Sequence, residues 1–307
     1  MNGGPVMPLI SKVRRLVWSV IFRSGIAAFL SDHLFTSIEY WCYTGRRMDF
    51  DCPRDFNQKV QWLKLYDRNP LYVTCADKYE VRKYVKEKIG AQYLNECIGV
   101  YEKVEDIQFS DLPERFVFKA THGSGWNLIC VDKTKMDWVK ACRKMQGWLK
   151  RDFSRIGREW QYHHMKPRII CEAFMSEPDG SPLRDYKLFT FNGETKYIAV
   201  EFARQGEDRI NFYDAAWNFQ PEKHTCPGND PSFVIARPAC LDEMKSLAQK
   251  LASEFPMCRV DFYVPGGGEV VFGELTFTPG KGCNDFSPQS FCDELGGYIV
   301  LPKKGYG

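Results

Sequence analysis

Lys119 ends the apolar run FVFKA and is followed at once by THGSGWN. A lysine at the end of a strand, beside a flexible glycine loop, sets a fixed cation next to backbone N–H groups that can close over phosphates. His122, Gly123, Ser124 and Gly125 make that loop. Its spacing is not the G-x-x-x-x-G-K-[ST] of a Walker loop, and two glycines serve equally well as a plain hairpin turn. A second constellation lies near the carboxyl end, where CRVDFYVPGGGEVVFGELTFTPGKG reads as two strands joined by a glycine turn, with Asp261 on the first and Glu274 on the second. Facing residues on antiparallel neighbours lie ~4.5–5.5 Å apart, so two carboxylates can meet inside an otherwise apolar hairpin. Such a pair, with space for phosphate oxygens and water, suits magnesium, which takes octahedral oxygen ligands and only one or two protein carboxylates. The competing reading is two independent surface acids, or a structural link to Arg259. His163 and His164 stand side by side without an i,i+4 partner, poor spacing for a metal.

Strands and turns must hold these groups. In DFNQKVQWLKLYDRNP, Phe56, Val60, Leu63 and Tyr66 recur at a helical period and Pro70 stops the run. Asp77 then caps a second helix, DKYEVRKYVKEKIG, which Gly90 closes. Beyond it come short β-rich runs, CIGVY, RFVFKA, LICV, RIICEAF, DYKLFTF, KYIAVEF, RINFY, CRVDFYV and EVVFGEL, interrupted by helices at 135–151 and 241–255. Asn192-Gly193 and Gly266-Gly267-Gly268 signal antiparallel hairpins. The pattern predicts a helical amino-terminal part to about residue 90 and an α+β body, without internal repeats.

The chain has 307 residues, 44% hydrophobic and 26% charged, enough for a large core and too polar for a bundle of membrane spans. Lys plus Arg number 42 against 39 Asp plus Glu, and a formal charge of +3 excludes a dedicated nucleic-acid binder. Twelve cysteines are scattered without a C-x-x-C pair; Cys130 in LIC and Cys171 in IIC fall in apolar runs. They read as reduced thiols of an intracellular protein rather than a secreted disulfide framework. The segment SKVRRLVWSVIFRSGIAAFL places Lys12, Arg14 and Arg15 ahead of an apolar stretch, as a signal peptide does, but Arg23, Ser24 and Gly25 interrupt it. Two readings stay open: an ordinary helix packed on the domain, or an amphipathic helix on an anionic membrane surface, with Val17, Phe22 and Leu30 beside Lys12, Arg15 and Arg23.

Taken in order, Lys78, Lys119 with its glycine loop, Glu172 after RIIC, Lys187 in DYKLF, and R-x-D followed by E-x-T-x-x-P-G resemble the signature of the ATP-grasp superfamily. More narrowly, FNQKVQWLKLYDRNP, ADKYEVRKYV, LPERFVFKATHGSG, RDYKLFTFNG and ELTFTPGKG resemble the TupA-like branch, related to teichuronopeptide biosynthesis, over roughly residues 54–300. The resemblance implies an ATP-grasp fold of α+β class, with two α/β lobes clasping the nucleotide after a helical amino-terminal segment. In boundaries, it implies that segment over 1–50 and the ATP-grasp domain over 51–300, with lobes at about 78–172 and 173–300. It further implies that Lys78, Lys119 and Lys187 face phosphates, that Glu172, Ala173, Phe174 and Met175 form the hinge whose backbone reads adenine, and that Asp179 meets the ribose, with Glu177 as near competitor. Asp261 and Glu274 match the magnesium carboxylates, and Arg259 the arginine facing the reacting centre. The third metal-strand position departs from the usual E-x-N: Thr276 stands there, a weaker ligand, as in the TupA-like branch. His122 enters as phosphate contact or base, or as a solvated loop side chain.

The activity implied is that of an ATP- and magnesium-dependent carboxylate–amine ligase working through an acyl phosphate. Its substrates are small carboxylates and amines, on a lipid-linked or nucleotide-linked saccharide of the bacterial cell surface, in the cytoplasm at the inner face of the membrane. A sugar kinase on the same scaffold and a glycosyltransferase are the alternatives, the latter without the usual D-x-D motif. A non-catalytic interaction protein is a third, weighed against the cost of keeping unpaired charges in a cleft.

Overall fold

The computed structural model describes residues 9–204, 206–225 and 228–304. Three helices come first: α1 (Leu9–Arg23), α2 (Asp32–Thr44) and α3 (Phe56–Tyr66). Side-chain caps start the latter two, Ser31 Oγ accepting from the Leu34 N–H at 3.3 Å and Asp55 Oδ1 from the Gln58 N–H at 2.8 Å. Pro70, expected only to end the helical run, also opens α4 (Leu71–Ala76), because its fixed φ suits the start of a helix. Next come α5 (Val81–Lys88), β1 (Cys97–Tyr101), β2 (Phe116–Ala120), β3 (Asn127–Cys130), α6 (Trp138–Leu149), α7 (Ser154–Gly157) and β4 (Ile169–Ala173). The rest is β5 (Asp185–Phe191), β6 (Glu194–Arg204), β7 (Glu207–Asp214), α8 (Leu241–Ala252), β8 (Met257–Tyr263), β9 (Val271–Thr276) and α9 (Gln289–Gly297). Each β-rich run of the sequence is a strand. The Asn192-Gly193 pair, both at positive φ, turns β5 into antiparallel β6.

The chain divides into two compact units. The first comprises residues 1–68, 184–260 and 276–307. Its strands belong to a sheet of order β7-β6-β5-β8-β9. The core is aromatic: Phe56 and Val60 of α3 meet Phe189 and Phe191 of β5, Phe212 of β7 and Phe291 of α9. Through that packing α3 is part of this unit's core. Here α1 lies on α2, with Trp18 buried edge-to-face against Phe35 at 4.9 Å. Phe22 and Leu30, expected beside Val17 on a lipid-facing side, instead pack against this cluster, whereas Val17 is exposed. Arg15 ties α1 to the body through Asp285 at 2.6 Å.

The second unit comprises residues 69–183 and 261–275. Its sheet has the order β1-β4-β2-β3, all pairs antiparallel. Phe116 and Phe118 of β2, Met145 and Trp148 of α6, and Ile169 and Cys171 of β4 form its core. All described cysteines are free thiols, and Cys226 lies outside the described residues. No described helix is long and apolar enough to cross a membrane.

Candidate active site

In the second unit, the turn ahead of α5 is set by Asp77. Its Oδ1 accepts from the N–H groups of Tyr79 at 2.8 Å and Glu80 at 3.0 Å. Arg168 clamps this turn, reaching Asp77 at 3.3 Å and Glu80 at 2.7 Å with its guanidinium over the Tyr79 ring. Lys78 is thereby held with its N–H on the Thr121 carbonyl at 3.2 Å and its ammonium donating to the Gly123 carbonyl at 2.5 Å. Burial lowers the Lys78 pKa from the usual lysine value; the Glu274 carboxylate opposes this and the Lys119 ammonium adds to it.

Lys119 extends from β2 to the Glu172 carboxylate of β4 at 2.7 Å, and Arg82 approaches the same carboxylate at 3.4 Å. Lys78, Arg82, Lys119, Glu172 and Glu274 all line one cavity of about 130 Å³ within this unit. Leu94, Trp126, Tyr263 and Phe272 supply apolar wall. A cleft that mixes polar and apolar walls and carries converging cations suits an anionic group such as a phosphate.

The structure brings the glycine loop to the cleft. It is a hairpin turn between β2 and β3, and Gly125, Trp126 and Asn127 line the cleft. A Cβ at Gly123 would sit 2.8 Å from the Trp126 ring and 3.0 Å from Phe153, so only glycine fits there. His122 does not reach the cleft as a solvated loop side chain would. It is 2% exposed, its Nε2–H donates to the Trp148 carbonyl at 3.1 Å, and its ring meets the Trp126 ring edge-on. Burial lowers its pKa.

Of the hinge residues, Ala173 already spends both backbone groups, its N–H on Glu96 O at 3.1 Å and its carbonyl on Asn95 Nδ2 at 2.9 Å. Phe174 lies under the Arg115 guanidinium, and Met175 is half-buried. Asp179 is exposed and accepts from the Ser181 N–H at 2.9 Å, whereas its competitor Glu177 is bound to the Gly266 N–H at 2.8 Å. Ser124 lies on the hairpin between its two glycines.

Asp261 is 1% exposed and Glu274 half-buried. Where β8 and β9 run through the second unit they come close: a Cβ on Gly273 would lie 3.0 Å from Asp261 O and 3.1 Å from the Tyr263 ring. Among the described residues no three His, Cys, Asp or Glu side chains gather as a metal cage. A magnesium ion resting on one or two carboxylates, with phosphate oxygens and water completing the shell, is compatible with this donor set.

The remaining expected residues lie in the first unit. Lys187 pairs with Asp185 and, at 3.1 Å, with Glu201. Arg259 Nη2 donates to Thr276 Oγ1 at 3.1 Å. Sequence reasoning missed Arg82, although it stands four residues after Lys78, a spacing that puts both on one side of a helical turn.

A sequence model of TupA-like ATP-grasp proteins matches residues 58–300. The chain belongs to that family. Its fold is accordingly the ATP-grasp fold expected from the motifs. No curated protein matches the chain. Among solved structures, this TupA-like chain is similar to D-alanine–D-alanine ligase from Bacillus anthracis complexed with ATP, at 16% identity and TM-score 0.41, over 73% of this chain and 58% of that one. It is also similar to an L-amino acid ligase from Bacillus licheniformis, at 16% identity and TM-score 0.44, over 74% and 49%. The ADP complex of N5-carboxyaminoimidazole ribonucleotide synthetase matches at 13% identity and TM-score 0.42, over 72% and 50%. The chain thus spans about half the length of these proteins.

Proposed function

We propose that this TupA-like ATP-grasp protein is an ATP- and magnesium-dependent ligase that joins a carboxylate to an amine through an acyl phosphate. The observation that carries the reading is the convergence of Lys78, Arg82 and Lys119 beside Glu172 and Glu274 in a single cleft. Three cations with two carboxylates suit a polyphosphate and its metal better than a neutral sugar.

A carboxylate oxygen of the substrate attacks the γ-phosphorus and the bond to the β–γ bridging oxygen breaks, giving an acyl phosphate and ADP. The amine nitrogen then forms a bond to the acyl carbon, the bond from that carbon to the phosphate oxygen breaks, and the amine gives up a proton to the departing phosphate or to water. In this reading the chain contributes position and charge. Lys78 and Lys119 hold phosphate oxygens, Glu172 keeps Lys119 in place until they arrive, and Trp126 with Phe272 excludes water. Phe174 and Met175 retain the hinge role toward adenine, and Asp179 the ribose. Lys187 and Arg259 stabilise the transferring phosphoryl group or the oxyanion formed when the amine attacks. Asp261 and Glu274 are the residues that would hold magnesium, with Thr276, whose hydroxyl accepts from Arg259, as a weaker third position. When bound, the metal neutralises charge on the phosphates. The TupA-like relationship favours as acceptor a cell-surface saccharide or its lipid-linked or nucleotide-linked precursor, modified in the cytoplasm with an amino acid or amine.

The test is ADP release from magnesium and ATP across a panel of uronic-acid saccharides and amino acids. ADP appearing only when both a carboxylate and an amine are present supports the ligase. ADP with a sugar alone and a phosphorylated product would mean a kinase, and thermal stabilisation by nucleotide sugars but not ATP would mean a glycosyltransferase.

A further inference from the structure

We propose that the outer face of α1, with the turn after it, is a docking surface for an anionic lipid bilayer. At 100° per residue, Leu9, Ile10, Val13, Leu16, Val17 and Val20 share one side of the helix, and each is between 45% and 76% exposed. The opposite side is already used: Ser11 and Trp18 are buried, and Phe22 packs with Trp18 against α2. The helix is therefore apolar on two faces, and packing accounts for one.

The stripe continues beyond the helix. Phe29, in the turn before α2, is 91% exposed, and Trp41 of α2 is also exposed. Of the sixteen large apolar side chains exposed among the described residues, ten fall between Leu9 and Trp41. An apolar surface this concentrated on about a tenth of the chain marks an interaction site.

Charge selects the partner. Residues 1–31 contain no Asp or Glu but carry Lys12, Arg14, Arg15 and Arg23. Lys12 and Arg23 are exposed, and the helical period puts both along one edge of the stripe. Arg15 is paired with Asp285, and Arg14 lies over the Trp41 ring. The first acid is Asp32, and at the far end of α2 Arg47 is exposed while Arg46 pairs with Asp55 at 2.6 Å. Two copies meeting through this face would set cations against cations, whereas anionic headgroups complement them. A 15-residue helix is ~22 Å long, short of a ~30 Å hydrocarbon core, so α1 lies in the interface plane with its stripe ~5–10 Å deep.

The test uses the full chain and sedimentation with phosphatidylcholine vesicles, with or without phosphatidylglycerol. The expected result is salt-sensitive binding to the anionic vesicles only. Lys12→Gln and Arg23→Gln each weaken it about five-fold, and Leu16→Glu with Val20→Glu abolishes it. All four positions are exposed, so thermal unfolding stays at wild type. Absence of binding to anionic vesicles, or equal binding to both kinds, would overturn the proposal. So would a dimer in ultracentrifugation that Leu16→Glu with Val20→Glu dissolves while vesicles recover no protein. The surface stands apart from the ligase reading: ATP turnover on a water-soluble acceptor stays unchanged in these variants.

Discussion

The Lys119 ammonium lies 2.7 Å from the Glu172 carboxylate, a diagonal contact between antiparallel strands β2 and β4. Glu172 stands directly across from Val117, and Lys119 from Ile170, so both side chains leave the same face of the sheet. The pair holds a cation at the mouth of the glycine loop before any anion arrives.

Replacing Lys119 by alanine is therefore expected to weaken ATP binding by ~1.5–3 kcal/mol, the range for a hydrogen bond to a charged group, or roughly 10–150-fold. Calorimetric titration checks this. An unchanged affinity would remove the glycine loop from the nucleotide site.

Glu274→Gln keeps the shape of the side chain and deletes its charge. ADP formation is expected to fall on the order of 10²–10³-fold or more, while thermal unfolding remains cooperative. Wild-type turnover in this variant would end the metal assignment. Because Glu274 opposes the lowering of the Lys78 pKa, the same variant is expected to lower that pKa further, readable by the pH dependence of Lys78 chemical labelling.

Acid should destabilise the second unit through His122. Its folded pKa is depressed, so the unfolded chain takes up the proton first, near ~6.5. The stability contributed by neutral His122 is whole above that pH and is lost as the pH falls through the folded value. Melting temperature measured from pH 7 to 5 is expected to fall less steeply in His122→Gln, which keeps a donor for the Trp148 carbonyl.

The two loop glycines should differ. Gly123→Ala drives a methyl into the Trp126 and Phe153 rings, at a cost of ~1–3 kcal/mol, and displaces Trp126 from the cleft wall. Gly125 has φ +70° and open space around it, so Gly125→Ala carries only backbone strain of ~1–2 kcal/mol. Near-ultraviolet circular dichroism of the indoles should change in the first variant alone.

The strands were legible because each is a short β-rich run bounded by turn residues, and α3 because Phe56, Val60, Leu63 and Tyr66 keep a helical period. The lysines and carboxylates of the cleft were legible because their order along the chain follows the family signature. His122 was not, since a histidine between a threonine and a glycine looks solvent-facing until Trp126 and Trp148 close over it. Nor were Phe22 and Leu30, because an apolar residue on a doubly apolar helix carries no mark of the face that α2 covers. Leu71–Ala76 escaped notice because six residues are too few to show a period.

The second unit is made from two separated pieces of chain, and Phe272, Gly273 and Glu274 of the cleft wall belong to the later one. During synthesis the piece ending at residue 183 leaves the ribosome about 80 residues before the piece beginning at 261 is made. At ~5–20 residues per second, that is an interval of roughly 4–16 s in which the four-stranded sheet has all its strands but the cleft lacks one wall. Both phosphate-facing lysines of the cleft are therefore made well before Glu274, and the metal-side wall is the last part of the site to be synthesised.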